Sequence, residues 1–296
     1  MIQRIGMDFR TIIDINKSFP ISHSDKIMLL GSCFSDNIGQ CLACRGFDVC
    51  INPFGTLYNP ASILQALSDL IDKEKFDEGE VFEYNGLWHS FRHHSKFSKQ
   101  TKEEALNIIN HKFAKAKEFL EETKVLIITF GTAFVYSNIE TSEIVANCHK
   151  LPAKNFERYR LDVDQIVKEW GVFLSGFEEK FPGLKIIFTV SPIRHLADGA
   201  HGNQISKSTL LLAVDKLLEC LSFTSYFPSY EIMMDEMRDY RFYAADMKHP
   251  SDVAVQYIFE RFSDTYFSKK TVEQARLAEK EWKRRQHIPL QQKFEL

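Results

Sequence analysis

The chain has no run of about 18 apolar residues, the length a helix needs to cross a bilayer. Its first stretch, MIQRIGMDFRTIIDINKS, lacks the apolar centre and small-residue cleavage site of a secretory leader. It also lacks a charge bias: 37 Lys and Arg stand against 40 Asp and Glu, a formal net charge of −3. That balance supplies no basic field to gather nucleic acid or an anionic membrane surface, so neither is expected as a partner. Internal repeats, low-complexity blocks and Pro/Gly/Ser linkers are absent, and a single domain over residues 1–296 is expected. The expected compartment is the cytoplasm. Six cysteines without an export signal read as reduced thiols, not as a disulfide framework.

What is present is an apolar fraction of 44%, enough for a sizeable core, and a regular alternation of two kinds of segment. KIMLLG (26–31), FDVCIN (47–52), VLIITFG (125–131), KIIFTVS (185–191) and SYEIMM (229–234) are nearly continuously apolar, as strands covered on both faces of a parallel sheet are. Amphipathic helices lie between them. Asn59-Pro60 opens one whose Ile63, Leu64, Leu67, Leu70 and Ile71 share a face, and Thr101 with Glu104, like Asp162 with Gln165, has the spacing of a capping box. Strand and helix alternate throughout, which predicts a doubly wound α/β/α fold.

Two segments interrupt the alternation. VFEYNGLWHSF (81–91) is two short runs around Asn85-Gly86, a hairpin signal, and FVYSNIETSEIVANCHK (134–150) reads as a second hairpin. The C-terminal stretch from 269, KKTVEQARLAEKEWKRRQHIPLQQKFEL, is expected to be a charged surface helix and tail.

The chemistry concentrates at two turns. After the first apolar run, Gly31, Ser32 and Cys33 lead straight into a helical pattern. A phosphate loop there would need more glycine than Gly31 and Gly39 provide. A hydroxyl and a thiol at a helix N-terminus suit a nucleophile instead, with backbone amides to hold an oxyanion and to lower a thiol pKa. A nucleophile needs a base, and Asp246 and His249 in YAADMKHPSD have the spacing for a carboxylate to fix an imidazole tautomer.

Other polar clusters have weaker claims. His89 and His93 have a metal-like spacing, but Asn85-Gly86 argues for a strand there, leaving His89 as a substrate contact or a surface residue. Cys41 and Cys44 fall within a helical pattern and read as core. Arg194, His195, His201, Asn203 and Lys207, in the loop after the fourth run, suit an anionic or sugar-like substrate. No metal or resident cofactor is expected.

GSCFSDNIG, NPFGTLYNP, LWHSFRHHSKF, GTAFVY, VANCHKLPAKNF, SPIRHLADGAHGNQISKSTLL and YFPSYEIMMDEMRDYRFYAADMKHPS resemble successive blocks of the GSCFA family, related to the SGNH (GDSL-type) hydrolases, from about residue 20 to 265. The resemblance implies a three-layer flavodoxin-like fold with strand order 2-1-3-4-5, and hydrolysis or transfer of an acyl group, often on carbohydrate. Asp246, His249 and Pro250 match the DxxHP block. Cys33 falls at the nucleophile position of the GDS block, with Ser32 the alternative one residue earlier. Gly55 corresponds to an oxyanion glycine. The GxND block becomes Gly131, Thr132, Ala133 and Phe134, so its oxyanion asparagine is missing and Thr132 is the substitute at hand. The expected protein is thus an esterase or acyltransferase acting on a small molecule or carbohydrate, with acyl-CoA admissible as a co-substrate. The alternative is a non-catalytic carbohydrate-binding or scaffold protein on the same fold.

Overall fold

A computed structural model describes residues 11–286. In chain order, β1 (Lys26–Gly31) leads through α1 (Cys33–Ala43) to β2 (Val49–Ile51), and α2 (Pro60–Asp72) is followed by the hairpin β3 (Phe82–Tyr84) and β4 (Leu87–His89). α3 (Lys102–Glu121) precedes β5 (Thr123–Phe130), after which come β6 (Phe134–Asn138), β7 (Ile144–Val145) and β8 (Phe156–Arg160). Then follow α4 (Val163–Lys180), β9 (Lys185–Val190), α5 (Gly199–Cys220), β10 (Thr224–Tyr226), α6 (Ser229–Glu231), α7 (Asp252–Tyr266) and α8 (Lys269–Gln286).

Five strands form one parallel sheet in the order β10-β9-β5-β1-β2, which in the sheet's own chain order is 2-1-3-4-5. Successive residues of the central strands serve opposite faces. Met28, Leu30, Leu126, Ile128, Ile186 and Phe188 pack under α2, α3, α4 and α5, while Ile27, Leu29, Val125, Ile127 and Ile187 pack under α1 and α7. This is why the runs read as continuously apolar: both faces are dry. Burying each such side chain contributes about 1.5–3 kcal/mol. The fold is the three-layer α/β/α arrangement that the alternation predicts.

The expected helix starts are present. Asn59 Oδ1 accepts from the Ser62 amide at 2.8 Å with Pro60 at the first helical position, and Thr101 and Glu104 form a reciprocal capping box. Asp162 accepts from the Gln165 amide at 2.7 Å, while the Gln165 side chain turns to Glu169 instead. The Asn85-Gly86 hairpin is closed by the pair Tyr84 and Leu87, with φ of 51° and 74° at the two loop residues.

One expectation needs correcting. SYEIMM is not a strand: Ser229–Glu231 is helical and continues as a π-helical turn over Ile232–Glu236, and the fifth strand is Thr224–Tyr226. Ser229 Oγ donates to the Val190 carbonyl at 2.8 Å and Ile232 and Met233 are buried, so a short apolar run here is a buried helical turn. The second expected hairpin is present as β6 and β7, and FERYR (156–160) adds β8 to the other edge of β6, giving a three-stranded antiparallel sheet β7-β6-β8. The expected charged surface helix is present as α8, seated through buried Thr271 and Ala275 and by Glu279, which meets Arg45 at 3.3 Å. The tail beyond it lies outside the described residues.

Candidate active site

The sheet order reverses between β1 and β5, and the candidate site gathers beyond the carboxyl ends of these strands and β9. Gly31 ends β1 at φ 144°, and a Cβ there would lie 2.2 Å from the Thr129 carbonyl oxygen, so no other residue fits against β5. Ser32 then caps α1: its hydroxyl accepts from the Phe34 amide at 3.3 Å and its side chain is fully buried. Cys33, the first helical residue, is half-buried and lines a cavity of about 640 Å³.

The thiol pKa departs from expectation. Burial, reinforced by the Asp36 carboxylate, pushes Cys33 up to about 11, and the helix amides of Cys33 and Phe34 and the Lys207 ammonium offset only part of this. The helix N-terminus stabilises a thiolate, but desolvation is the larger effect.

Asp246 and His249 come together in a tight turn. His249 Nδ1 lies 2.5 Å from Asp246 Oδ2, and Asp246 Oδ1 also accepts from the amides of Lys248 (2.9 Å) and His249 (3.0 Å). Those bonds, led by the His249 amide, hold the carboxyl well below the usual carboxylate range. Met247, at φ 58°, closes the turn, and the Lys248 carbonyl accepts from the Arg194 amide at 3.1 Å, tying the turn to the loop after β9. With Nδ1 engaged, Nε2 is the nitrogen that can take a proton. His249 lines the same cavity as Cys33.

The ends of β5 and β9 supply the rest. The amides of Gly131 and Thr132 both donate to the Tyr58 carbonyl at 2.8 Å. The Thr132 hydroxyl lines the cavity but is already engaged with Ser206 Oγ (3.1 Å) and the Phe134 amide (3.1 Å). His195 also lines the cavity. Its amide donates to Asn203 Oδ1 at 2.8 Å, and its Nε2 is buried without a hydrogen-bond partner, 3.4 Å from where a Cβ on Gly131 would sit. Burial, then the nearby Lys207 ammonium, lowers His195 to about 4, so its ring is neutral at pH 7.

Cys33, Thr132, Arg194, His195 and His249 therefore meet at one cavity, with Asp246 behind His249. The remaining candidates lie elsewhere. Lys207 is fully buried and donates to the carbonyls of Gly131 (2.6 Å) and Ser191 (2.7 Å), so it ties β5 to β9 and cannot touch a substrate. Burial, then Arg194, lowers its pKa to about 7. Asn203 is buried beneath His195, and His201 is exposed on α5 outside the cavity. The Gly55 amide donates to the Asn52 carbonyl at 2.7 Å and is spent on its own turn. His89 belongs to the hairpin, with Nδ1 2.7 Å from Ser98 Oγ and Nε2 3.1 Å from the Tyr84 carbonyl. Among the described residues no group of three or more His, Cys, Asp or Glu is placed to hold a metal ion.

Sequence reasoning missed Tyr58 and Lys248 as cavity residues and Asn203 as the anchor of His195. Tyr58 carries the one available signal, its place in NPFGTLYNP beside the Asn59 cap.

The fold is α/β/α, with Cys33 at the switch point of the parallel sheet and the Asp246-anchored His249 lining the same cavity. The chain belongs to the GSCFA family, whose family model matches residues 26–262. Comparison with curated proteins returns no match. Among solved structures, an acetyl xylan esterase from the rumen bacterium Butyrivibrio proteoclasticus is 12% identical at a TM-score of 0.41, covering 83% of this chain and 64% of that one. A carbohydrate esterase family 3 structure from Talaromyces cellulolyticus is 10% identical at a TM-score of 0.38, covering 85% and 98% of the two chains.

Proposed function

We propose that the chain is an SGNH-like acyl-cleaving enzyme with Cys33 as nucleophile, His249 as general base and Asp246 as its orienter, acting on an ester or thioester of a small molecule or carbohydrate. The observation that carries this reading is the cavity shared by Cys33 and His249, with His249 Nδ1 held by Asp246 at 2.5 Å. In the proposed reaction His249 Nε2 takes the thiol proton as Sγ attacks the acyl carbonyl. The oxyanion collapses, the C–O or C–S bond breaks, and the proton passes to the leaving alcohol or thiol. Water or an acceptor hydroxyl then attacks the acyl-Cys33 thioester, the first giving hydrolysis and the second transfer.

Because Cys33 sits near pKa 11, the thiol gives up its proton to His249 during the reaction and is not a preformed thiolate. The oxyanion needs donors, and the family-type asparagine is replaced by Ala133. The Cys33 amide supplies one donor in this reading, and the neutral imidazole of His195, whose buried Nε2 lacks a partner, supplies the other. Ser32, spent as the α1 cap, is not the nucleophile in this reading.

The test is steady-state hydrolysis of p-nitrophenyl acetate by wild type, Cys33→Ala, His249→Ala and Asp246→Asn. Losses of about 10²–10⁴ in kcat for each are expected, with native melting temperatures retained. Activity unchanged in Cys33→Ala would contradict the assignment.

A further inference from the structure

A second cavity of about 480 Å³ opens beside the first, and Arg194 and Leu196 line both. Its walls are otherwise sulfur-rich and aromatic, with Met234, Tyr240, Tyr243 and Met247 facing it. The charged groups at its rim are already matched: Arg238 pairs with Asp235 at 2.8 Å and Asp239 with Arg241 at 2.9 Å.

Arg194 is different. Its Nη1 meets only the Met234 sulfur at 3.9 Å, its guanidinium also touches the Tyr243 hydroxyl, and its Nε is buried without an acceptor. Among the described residues no carboxylate lies within ion-pair distance of it. In the first cavity Arg158 is bonded to Asp198, so Arg194 and Lys248 stand as unneutralised lining cations in a chain whose net charge is negative. A planar guanidinium with an unsatisfied buried donor, held between two cavities, is built for a bidentate anion. Flexible thioethers beside it suit an unbranched apolar chain.

We propose that the two cavities form one binding site for an amphiphilic substrate, in which Arg194 binds a carboxylate or phosphate and the Met/Tyr groove holds the apolar chain attached to it. This deepens the acyl-cleaving reading and rests on it for which bond is cut, though binding itself does not. The test is calorimetric titration of octanoate, octyl phosphate and octanol, below their micellar concentrations, into wild type, Cys33→Ala, Arg194→Gln and Tyr240→Ala.

The expected result is binding of at least one anion to both wild type and Cys33→Ala, about tenfold or more weaker in Arg194→Gln, with octanol indifferent to that change. Tyr240→Ala, altered at an exposed groove wall, weakens octanoate and octanol alike, since both place the same chain there. The tighter of the two anions names the headgroup. Octanol binding as tightly as both anions, or folded Arg194→Gln binding both anions like wild type, would overturn the proposal. Should Arg194→Gln not fold, wild type itself decides: a preference for anion over octanol that declines with added salt supports the site, and its absence overturns it. Anion binding by a protein inert toward every ester would contradict the acyl-transfer reading and leave this one standing.

Discussion

Cys33 shows how two effects of opposite sign are settled by size. The helix N-terminus and Lys207 favour the thiolate, yet burial beside Asp36 outweighs them. With the thiol pushed up to about 11, only ~10⁻⁴ of it is ionised at pH 7. Alkylation of Cys33 by iodoacetamide should therefore accelerate about tenfold per pH unit from pH 7 to about 10. A rate already level near pH 7 in peptide-mapped alkylation would show a preformed thiolate and contradict this. His195 is the second residue whose role depends on surroundings. His195→Phe should lower kcat by about 10²–10³ with KM little changed, as removal of an oxyanion donor does, and kinetics on p-nitrophenyl acetate measure it. The turn at Gly31, Ser32 and Cys33 and the Asp246–His249 pair were legible because each is local. The geometry of His195 and the burial of Lys207 were not, since both depend on Gly131, far away in sequence.

At the scale of elements, the buried histidines packed beside the first hairpin carry a consequence for pH. His93, stacked on Phe54 and bonded through Nδ1 to Ser90 Oγ at 3.0 Å, is lowered to about 3 by burial, then Arg92 and His149; burial lowers His149 to about 4. Unfolding lets both rings take protons near pH 6.5, so the folded state binds fewer protons below that pH. Stability is full above about pH 6.5 and is lost as the pH falls toward 3. The melting temperature should drop steeply between pH 6.5 and 4, and His93→Phe should flatten that slope; an equal slope in the variant would contradict it. At the other end of this region, Thr101→Ala breaks the α3 capping box and should cost about 1 kcal/mol in urea denaturation. Caps and the Asn-Gly hairpin were readable because their signals span four residues or fewer. Strand β10 was misplaced because TSY is short and half-polar, whereas the neighbouring SYEIMM owes its apolar character to helical burial.

For the whole molecule, the sheet order brings β1, β5 and β9 side by side, so residues 33, 132 and 195 share one edge although they are far apart in sequence. Lys207 fastens that edge by bridging the carbonyls beyond β5 and β9. Lys207→Met should leave both acceptors unpaired, at about 1–3 kcal/mol each, and read out as a lower melting temperature together with slower turnover. The alternation of dry runs and amphipathic helices was enough to expect this architecture, since parallel sheets covered on both faces leave that pattern.

The most direct test of the central claim is peptide-mapping mass spectrometry after brief incubation with activated esters and acyl-CoA thioesters, on wild type and His249→Ala. The account predicts an acyl adduct on Cys33, removable by hydroxylamine and formed far more slowly without His249. An adduct on Ser32, or none from any donor in a folded protein, would contradict it.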